Sequence, residues 1–190
     1  MKRGFKSEAE RLATGLRELV GCSDTDPAPL NAVADELGVE ILAADALVDR
    51  GRLEELQEIQ PDAFSAATFH RPNGTPVIVY NPLHPLGRTR SNQAHELAHI
   101  VLKHNVRTIE RVGSLKFLTC DVEQEEEADW LGGCLLLPRP LLLQAANKGM
   151  NHVAIAEKYQ TSEPMARFRL NASGVLVQVG RARAARARKA

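Results

Sequence analysis

The first part of the chain carries apolar residues at helical spacing, which predicts two helices. Leu12, Leu16 and Leu19 lie on one face of the first helix, which begins at an S-x-x-E capping signature and ends at Gly21. A loop rich in Asp and Pro separates it from a second, shorter helix, which is predicted over residues 29–37.

Short β-rich runs in the next part of the chain predict a small sheet. We expect strands over residues 39–42, 63–69 and 77–80, with the turn-forming sequence R-P-N-G-T-P before the last of them. This last run, V-I-V-Y, is flanked by Pro76 and Pro82. Because proline lacks a backbone N–H, it is found mainly at sheet edges. The sequence therefore predicts a small antiparallel sheet with V-I-V-Y as an edge strand.

Two longer helices follow the predicted sheet. Helical periodicity returns over residues 90–103 and 123–137, and Pro138 ends the second of these helices. The segment between them, residues 105–120, has no clear period and is predicted to be irregular. This order of elements predicts an α+β fold in which the small sheet packs on the longer helices.

The last part of the chain predicts a compact module. N-H-V-A-I-A-E-K-Y-Q and a segment capped by Ser162 predict two short helices with a helix–turn–helix shape, and V-L-V-Q-V at 175–179 predicts a final strand. A helix pair of this shape can enter the major groove of DNA, and its second helix carries Arg167 and Arg169. We favour packing on the core or partner recognition over DNA contact.

Composition excludes several classes of protein. The 190 residues are 44% apolar, which suits one globular domain with a small appendage. No run approaches the roughly 18 apolar residues that a membrane helix needs, and the start of the chain lacks the apolar core of a secretory signal. Three cysteines without a C-x-x-C pair are typical of reduced thiols. We therefore expect a cytoplasmic protein with no membrane partner.

The formal net charge of zero conceals a basic C-terminus. Five of the last ten residues, R-A-R-A-A-R-A-R-K-A, are basic, so residues 1–180 hold 19 basic and 24 acidic side chains, a net charge of −5. Direct nucleic-acid binding is not expected of such a body, since DNA-binding domains present a basic face. We divide the chain into a core over 1–147, a C-terminal module over 148–180 and a basic, disordered tail over 181–190.

The strongest chemical signal is the H-E-x-x-H motif at residues 95–99, in the first of the two longer helices. The spacing places His95 and His99 on one helix face, one turn apart, where both rings can bind a zinc ion at about 2.0–2.1 Å. Glu96 points about 100° around the helix from His95, so it can take a proton from water without binding the metal. Apolar neighbours bury this helix, and buried imidazoles need partners.

A catalytic zinc site needs a third protein ligand and an open position. The acidic run D-V-E-Q-E-E-E-A-D at 121–129 offers candidates, although acids also gather at helix N-termini for electrostatic reasons. Glu125 and Asp129 share one helix face, so Glu125 is the preferred ligand and Asp129 can accept a hydrogen bond from a ligating histidine. Glu127 points nearly opposite and is the alternative ligand. Small residues such as Gly132 would let the two helices approach closely.

Three motifs carry a resemblance to a known family: A-H-E-L-A-H at 94–99, E-E-E-A-D at 125–129 and L-L-L-P at 135–138. Together they resemble the ImmA/IrrE metallopeptidases, and the likeness extends over most of the chain. It implies a gluzincin-like zinc core, with a small antiparallel sheet packed on the H-E-x-x-H helix and on the following helix. It also implies Zn²⁺ as the cofactor, Glu96 as the catalytic base, and three zinc ligands: His95, His99 and Glu125.

The resemblance further implies a zinc metallo-endopeptidase that cleaves a protein regulator. Its expected partner is a helix-turn-helix transcriptional repressor of phage, mobile-element or stress-response genes. The residues predict the hydrolytic chemistry, whereas the substrate rests on the resemblance. One alternative is a zinc-holding antirepressor or sensor that acts by binding without cleavage. Another is a DNA-binding module built on the C-terminal helices and tail.

Several residues are candidates for supporting roles. V-I-V-Y could accept the substrate as an added strand, and Cys120 could reach the zinc as an inhibitory ligand, although an unpaired cysteine usually behaves as a small apolar residue. The histidines outside the motif, His104 among them, are expected to be surface or satisfied side chains. Four upstream residues could donate to the oxyanion formed during hydrolysis: Tyr80, His84, Arg88 and Arg90.

Overall fold

The computed structural model describes residues 1–104, 108–112, 115–119 and 121–188. The first half of the fold consists of α1 (Phe5–Leu19), α2 (Leu30–Glu36), β1 (Glu40–Ala43), a short 3₁₀ turn (Ala44–Ala46), α3 (Arg50–Ile59), β2 (Ala66–His70), β3 (Pro76–Tyr80) and α4 (Leu86–Val101). The second half consists of β4 (Thr108–Val112), β5 (Leu115–Thr119), α5 (Val122–Leu136), α6 (Arg139–Asn147), α7 (His152–Tyr159), α8 (Glu163–Ala172) and α9 (Val175–Ala187). In this described part of the chain, no helix is both long and apolar enough to cross a bilayer.

The predicted α+β fold is confirmed, but the sheet differs from the prediction in two respects. Its strand order is β1–β3–β2, so the V-I-V-Y strand β3 is central and not at an edge. β1 runs parallel to β3, and β2 runs antiparallel to it. The flanking prolines mislead because Pro76 is the first residue of β3 and Pro82 lies beyond its end, where neither removes a hydrogen bond from the middle of the strand. Ile78 at the centre of β3 is fully buried.

The predicted C-terminal strand is wrong, because residues 175–179 form the first turns of helix α9. Val175 and Val179 are one helical turn apart and both are buried, whereas Val177 between them is 57% exposed. Residues four apart lie on the same side of a helix and also on the same side of a strand, so the burial of Val175 and Val179 is compatible with both. The exposure of Val177 fits only the helix. α9 continues through Ala187 into the basic segment that was expected to be disordered. Alanine and arginine are strong helix formers, which explains the extension.

The connection between α4 and α5 also differs from the prediction. Residues 105–120 were expected to be irregular, but the backbone forms the antiparallel pair β4–β5, with Thr108 opposite Thr119. The β-branched residues of T-I-E-R-V favour an extended chain even without a clear alternation.

The described cysteines are free thiols, as predicted. Cys22 is half-buried and Cys134 is buried in α5, where burial raises the pKa of its thiol. A raised pKa leaves little reactive thiolate, so Cys134 acts as a small apolar residue of the core. Cys120, the candidate inhibitory ligand, lies outside the described residues.

Helices α4 and α5 pack closely because α5 presents a glycine at the contact. A Cβ atom on Gly132 would lie 2.9 Å from the carbonyl oxygen of Ala94 and 3.1 Å from the backbone nitrogen of His95. Real Cβ atoms essentially never approach other atoms so closely, so α5 can lie against α4 only with glycine there. This contact sets the distance between the two helices that carry the motif residues.

We expect Gly132→Ala to destabilise the fold despite the higher helix propensity of alanine. Pushing α4 away costs about 1–3 kcal/mol by the usual penalty for overpacking, and the better propensity returns about 1 kcal/mol. The expected net loss in the free energy of unfolding is therefore up to about 2 kcal/mol, measured by urea denaturation. Gly15→Ala in α1 is the matched control, since a Cβ there meets nothing within 4 Å. The helix contact would be looser than described if both variants were stabilised alike.

Two fully buried arginines hold the C-terminal end of α5. Arg17 donates from Nη1 to the carbonyl of Leu135 at 2.8 Å, and Arg169 donates to the carbonyl of Leu137 at 3.1 and 3.2 Å. Arg169 also pairs with Glu10 at 2.6 Å. Cations at this end satisfy carbonyls that have no helical partner and oppose the negative end of the helix dipole. α5 is thus anchored at its end while its first turns reach the motif.

Candidate metal centre

Two helices bring the predicted metal ligands together. α4 carries His95 and His99 on one face, and their Nε2 atoms are 3.0 Å apart. The first turn of α5 carries Glu125, whose Oε2 lies 3.2 Å from His95 Nε2 and whose Oε1 lies 3.6 Å from His99 Nε2. All three ligand atoms lie within 4.8 Å of one another. The structure thus selects Glu125 over Glu127 as the acid that faces the two histidines.

The spacing of these atoms fits a single metal ion. Two donors bound to one zinc ion at about 2.0–2.1 Å and at a tetrahedral angle stand about 3.3–3.4 Å apart. The three distances of 3.0, 3.2 and 3.6 Å bracket that value. Two imidazoles and one carboxylate also form a donor set that several divalent ions accept, zinc among them. His95, His99 and Glu125 can therefore hold a metal ion without a change in their backbone.

Asp129 supports the cluster from behind, as the helical spacing predicted. Its Oδ1 lies 2.8 Å from His95 Nδ1, the ring nitrogen that faces away from the cluster. A carboxylate in this position keeps the proton on Nδ1 and leaves the lone pair of Nε2 free for a metal. Asp129 itself is 58% exposed, so water also reaches this carboxylate.

The two histidines respond differently to their surroundings. Burial would lower the pKa of His95, but the hydrogen bond to Asp129 and the charges of Asp129, Glu96 and Glu125 raise it. Burial lowers the pKa of His99, and the neighbouring charge of His95 lowers it further. These opposite shifts of the pKa make His95 the more basic of the two side chains. Because a metal ion binds neutral imidazole, protonation of His95 would compete with metal binding.

Glu96 lies beside the cluster and is held by the sheet. Its side chain is 7% exposed, and its Oε2 accepts a hydrogen bond from Thr68 Oγ1 of β2 at 2.6 Å. Its negative charge raises the pKa of both His95 and His99, which places it near them without making it one of the three donors. Thr68 was not among the sequence-predicted site residues, because nothing local in the sequence pairs it with Glu96.

An open cleft of about 560 Å³ gives access to His95 and Glu96. One wall is the start of β2 with Ala66, and the floor is the α4 turn that precedes the motif. The opposite wall is the largely apolar face of α8, with Met165 and Phe168. Asn92 on the floor has a buried Nδ2 without a hydrogen-bond acceptor among the described residues.

The predicted oxyanion donors do not line this cleft. Arg88 pairs with Asp62 and Ser65, and Arg90 donates to the backbone carbonyls of Gln160 and Ala28. Tyr80 and His84 line a separate cavity on another face of α4. The sequence alone could not predict which of these residues face the cleft, because the turn between β3 and α4 determines their directions.

His104 was expected to be a surface or satisfied histidine rather than a ligand. It is not among the three clustered donors, but the structure places it against them. Its Nδ1 lies 2.9 Å from His99 Nδ1, and its side chain is 7% exposed. His104 is thus the second neighbour of the cluster, alongside Asp129, that contacts the outer nitrogen of a motif histidine.

The family match agrees with this geometry. Residues 34–171 match the Peptidase_M78 family, which is described as the IrrE N-terminal-like domain. The chain belongs to this family. The match confirms the resemblance seen in the sequence motifs, and it spans the sheet, α4, α5 and α8. This family is one of metallopeptidases. In this chain, the candidate metal site consists of two histidines and one glutamate.

Structural comparison supports the fold. A Mycobacterium tuberculosis transcriptional regulator is similar, with a TM-score of 0.52 and 16% sequence identity. The alignment covers 87% of this chain and 46% of that chain, so this IrrE N-terminal-like domain spans less than half of the regulator's length. At this identity the likeness shows the fold alone. Among curated proteins, none matches the chain significantly.

One of the two arginines predicted to face DNA packs inside the C-terminal helices of this family member. α7 and α8 form the predicted helix pair, but Arg169 is fully buried against Glu10 and the end of α5. A groove-reading arginine must be exposed. Arg167 on the same helix is exposed and lies 3.2 Å from His152.

Proposed function

We propose that this IrrE N-terminal-like domain is a zinc-dependent endopeptidase that hydrolyses a peptide bond in a protein regulator, a helix-turn-helix transcriptional repressor. The observation that carries the proposal is the juxtaposition of Glu96 with the His95, His99 and Glu125 cluster at an open cleft. A purely structural zinc site would use four protein ligands and would need neither the cleft nor the adjacent free carboxylate.

Zinc is the proposed ion because three nitrogen and oxygen donors with one open position are typical of catalytic zinc sites. When bound, the ion would polarise the substrate carbonyl and lower the pKa of water towards about 7. His95 and His99 would hold it through Nε2, and Glu125 through its carboxylate.

Glu96 is the proposed catalytic base. Its carboxylate accepts a proton from water as the water oxygen forms a C–O bond with the peptide carbonyl carbon. It then passes that proton to the nitrogen of the leaving amine as the C–N bond breaks. The hydrogen bond from Thr68 occupies Oε2 and holds the side chain in one orientation. Oε1 then remains for the proton transfer.

The substrate peptide is proposed to pair with β2 instead of V-I-V-Y, which the structure places inside the sheet. β2 has β3 on one side and no paired strand on the other among the described residues. An edge strand offers backbone donors and acceptors whatever the substrate sequence. A peptide along this edge passes Thr68 and Glu96, with the apolar face of α8 opposite.

This arrangement gives each part of the chain a proposed role. Residues 1–147 carry the cluster and the edge strand, and residues 148–180 supply the wall of the cleft through Met165 and Phe168. The exposed arginines at the end of α9 contact solvent and are available to bind an acidic partner. A cytoplasmic location follows from the proposed substrate.

The proposal is tested by incubating the zinc-loaded protein with helix-turn-helix repressors from its own genome, in water enriched with heavy oxygen. We expect two fragments, with one heavy oxygen atom in the new carboxyl group. A chelator-treated sample is the control and should leave the repressor intact. A repressor that stays whole while it binds tightly would overturn the peptidase proposal and favour the zinc-holding antirepressor or sensor.

A further inference from the structure

His104 contacts the cluster on the side that faces away from the metal position. Its Nδ1 lies 2.9 Å from His99 Nδ1, within hydrogen-bond distance, whereas the opposite nitrogen of His99, Nε2, faces His95 and Glu125. The two rings are 5.0 Å apart between centroids and stand nearly edge to face at 71°. His104 therefore cannot be a fourth ligand in this arrangement, because the ring of His99 lies between it and the cluster.

The backbone fixes His104 in this position. α4 ends in a Schellman motif, in which the N–H of His104 donates to the carbonyl of His99 at 3.0 Å and the N–H of Lys103 donates to Ile100 at 3.1 Å. Lys103 has a φ of 53°, the left-handed conformation that this motif requires and that glycine usually supplies. The turn folds the chain back so that the His104 ring meets the ring of His99 five residues earlier.

Glu127 completes a chain of contacts from α5. Its Oε2 lies 3.5 Å from His104 Nε2, which is ion-pair distance but too long for a hydrogen bond, and its side chain is 12% exposed. Among the described residues, neither His104 Nε2 nor Glu127 Oε1 has a hydrogen-bond partner, so each buried atom still needs one. A carboxylate that is so buried needs a compensating donor. Among the described residues, His104 lies within ion-pair distance of it. Glu127 lies on a different face of α5 from Glu125, so it does not join the three clustered donors. This face of α5 is the one that approaches His104.

We propose that His104 and Glu127 are positioning residues for His99, rather than ligands or bystanders. A neutral imidazole has one donor and one acceptor nitrogen. When Nε2 of His99 turns its lone pair to the metal, the proton must sit on Nδ1, which donates to Nδ1 of His104. The proton of His104 is then on Nε2, directed at Glu127. Asp129 of α5 holds His95 directly, and His104 holds His99, with the Glu127 carboxylate of α5 at 3.5 Å from the far nitrogen of His104.

The inference rests on the proposed metal site and is independent of the proposed substrate. It is tested by zinc affinity in competition with a chromophoric chelator, with no peptide present. His104→Leu should weaken zinc binding by about 10–100-fold, the usual effect of losing an outer partner of a ligand. His104→Asn should restore most of the affinity, because its side-chain oxygen can occupy the position of Nδ1. His104→Gln should not, because its amide reproduces the position of Nε2.

Two further measurements separate positioning from packing. Glu127→Gln should weaken zinc binding, while Glu126→Gln, at a neighbouring acid that is 58% exposed, should leave it unchanged. In the zinc-loaded parent, nitrogen NMR should show the proton of His99 on Nδ1 and that of His104 on Nε2. Equal zinc affinities for the three His104 variants, or a proton on Nδ1 of His104, would overturn the assignment. Failure of the repressor to be cleaved would leave these results unaffected, and would concern the proposed function alone.

Discussion

The Glu96→Gln variant is expected to lose about 10²–10⁴-fold in kcat on a confirmed substrate, the usual contribution of a general base, while it binds zinc like the parent. Glutamine has the shape of glutamate and can keep the hydrogen bond with Thr68, but its amide cannot accept the proton of the attacking water. Glu96 is not one of the three clustered donors, so its neutralisation leaves the metal position intact. The measurements are kcat from fragment formation and zinc content of the purified variant.

The matched control for this variant is Thr68→Val, which keeps the carboxylate and removes the hydroxyl that binds it. We expect a smaller loss of kcat than for Glu96→Gln, because the base is still present but less firmly oriented. If Glu96→Gln cleaved at the parent rate, another group would have to take the proton. If Thr68→Val lost as much activity as Glu96→Gln, the hydroxyl would itself belong to the proton-transfer step.

The parts of the site that lie on one helix were predictable from the sequence. A helix has a fixed angular step, so the spacing of His95 and His99 and of Glu125 and Asp129 determines which side chains share a face. The contact of Asp129 with His95 Nδ1 follows from that geometry once α4 and α5 are adjacent. The small Gly132 in the α5 sequence also indicated that α4 and α5 would pack closely.

The parts that depend on a change of chain direction were not predictable. His104 reaches His99 because of a left-handed turn at Lys103, a residue whose side chain does not favour that conformation. The position of β3 inside the sheet depends on β1 pairing in parallel with it, and nothing in the V-I-V-Y segment specifies a neighbour. Val175 and Val179 fit a strand or a helix equally well, and the core around α9 decides between them.

The stability of the protein is expected to rise with zinc, and Glu125→Ala is expected to abolish that response. A ligand that binds the folded state alone at 100 times its Kd adds about 2.7 kcal/mol to the free energy of unfolding. For a chain of this size that corresponds to about 5–10 °C in Tm. Removing Glu125 leaves two imidazoles on one helix and breaks the link that an ion makes between α4 and α5. Thermal unfolding with and without zinc measures the difference.

Glu126→Ala is the control for this comparison, since Glu126 is the next residue of the same helix, is 58% exposed and faces the N-terminal amine instead of the cluster. It should show the full zinc-dependent increase in Tm. A response that survives in Glu125→Ala would mean that the ion is held elsewhere or by the histidines alone. A response lost in both variants would mean that α5 had been disturbed as a whole. Loss in Glu125→Ala alone would establish that one carboxylate on α5 joins the two helices through the metal.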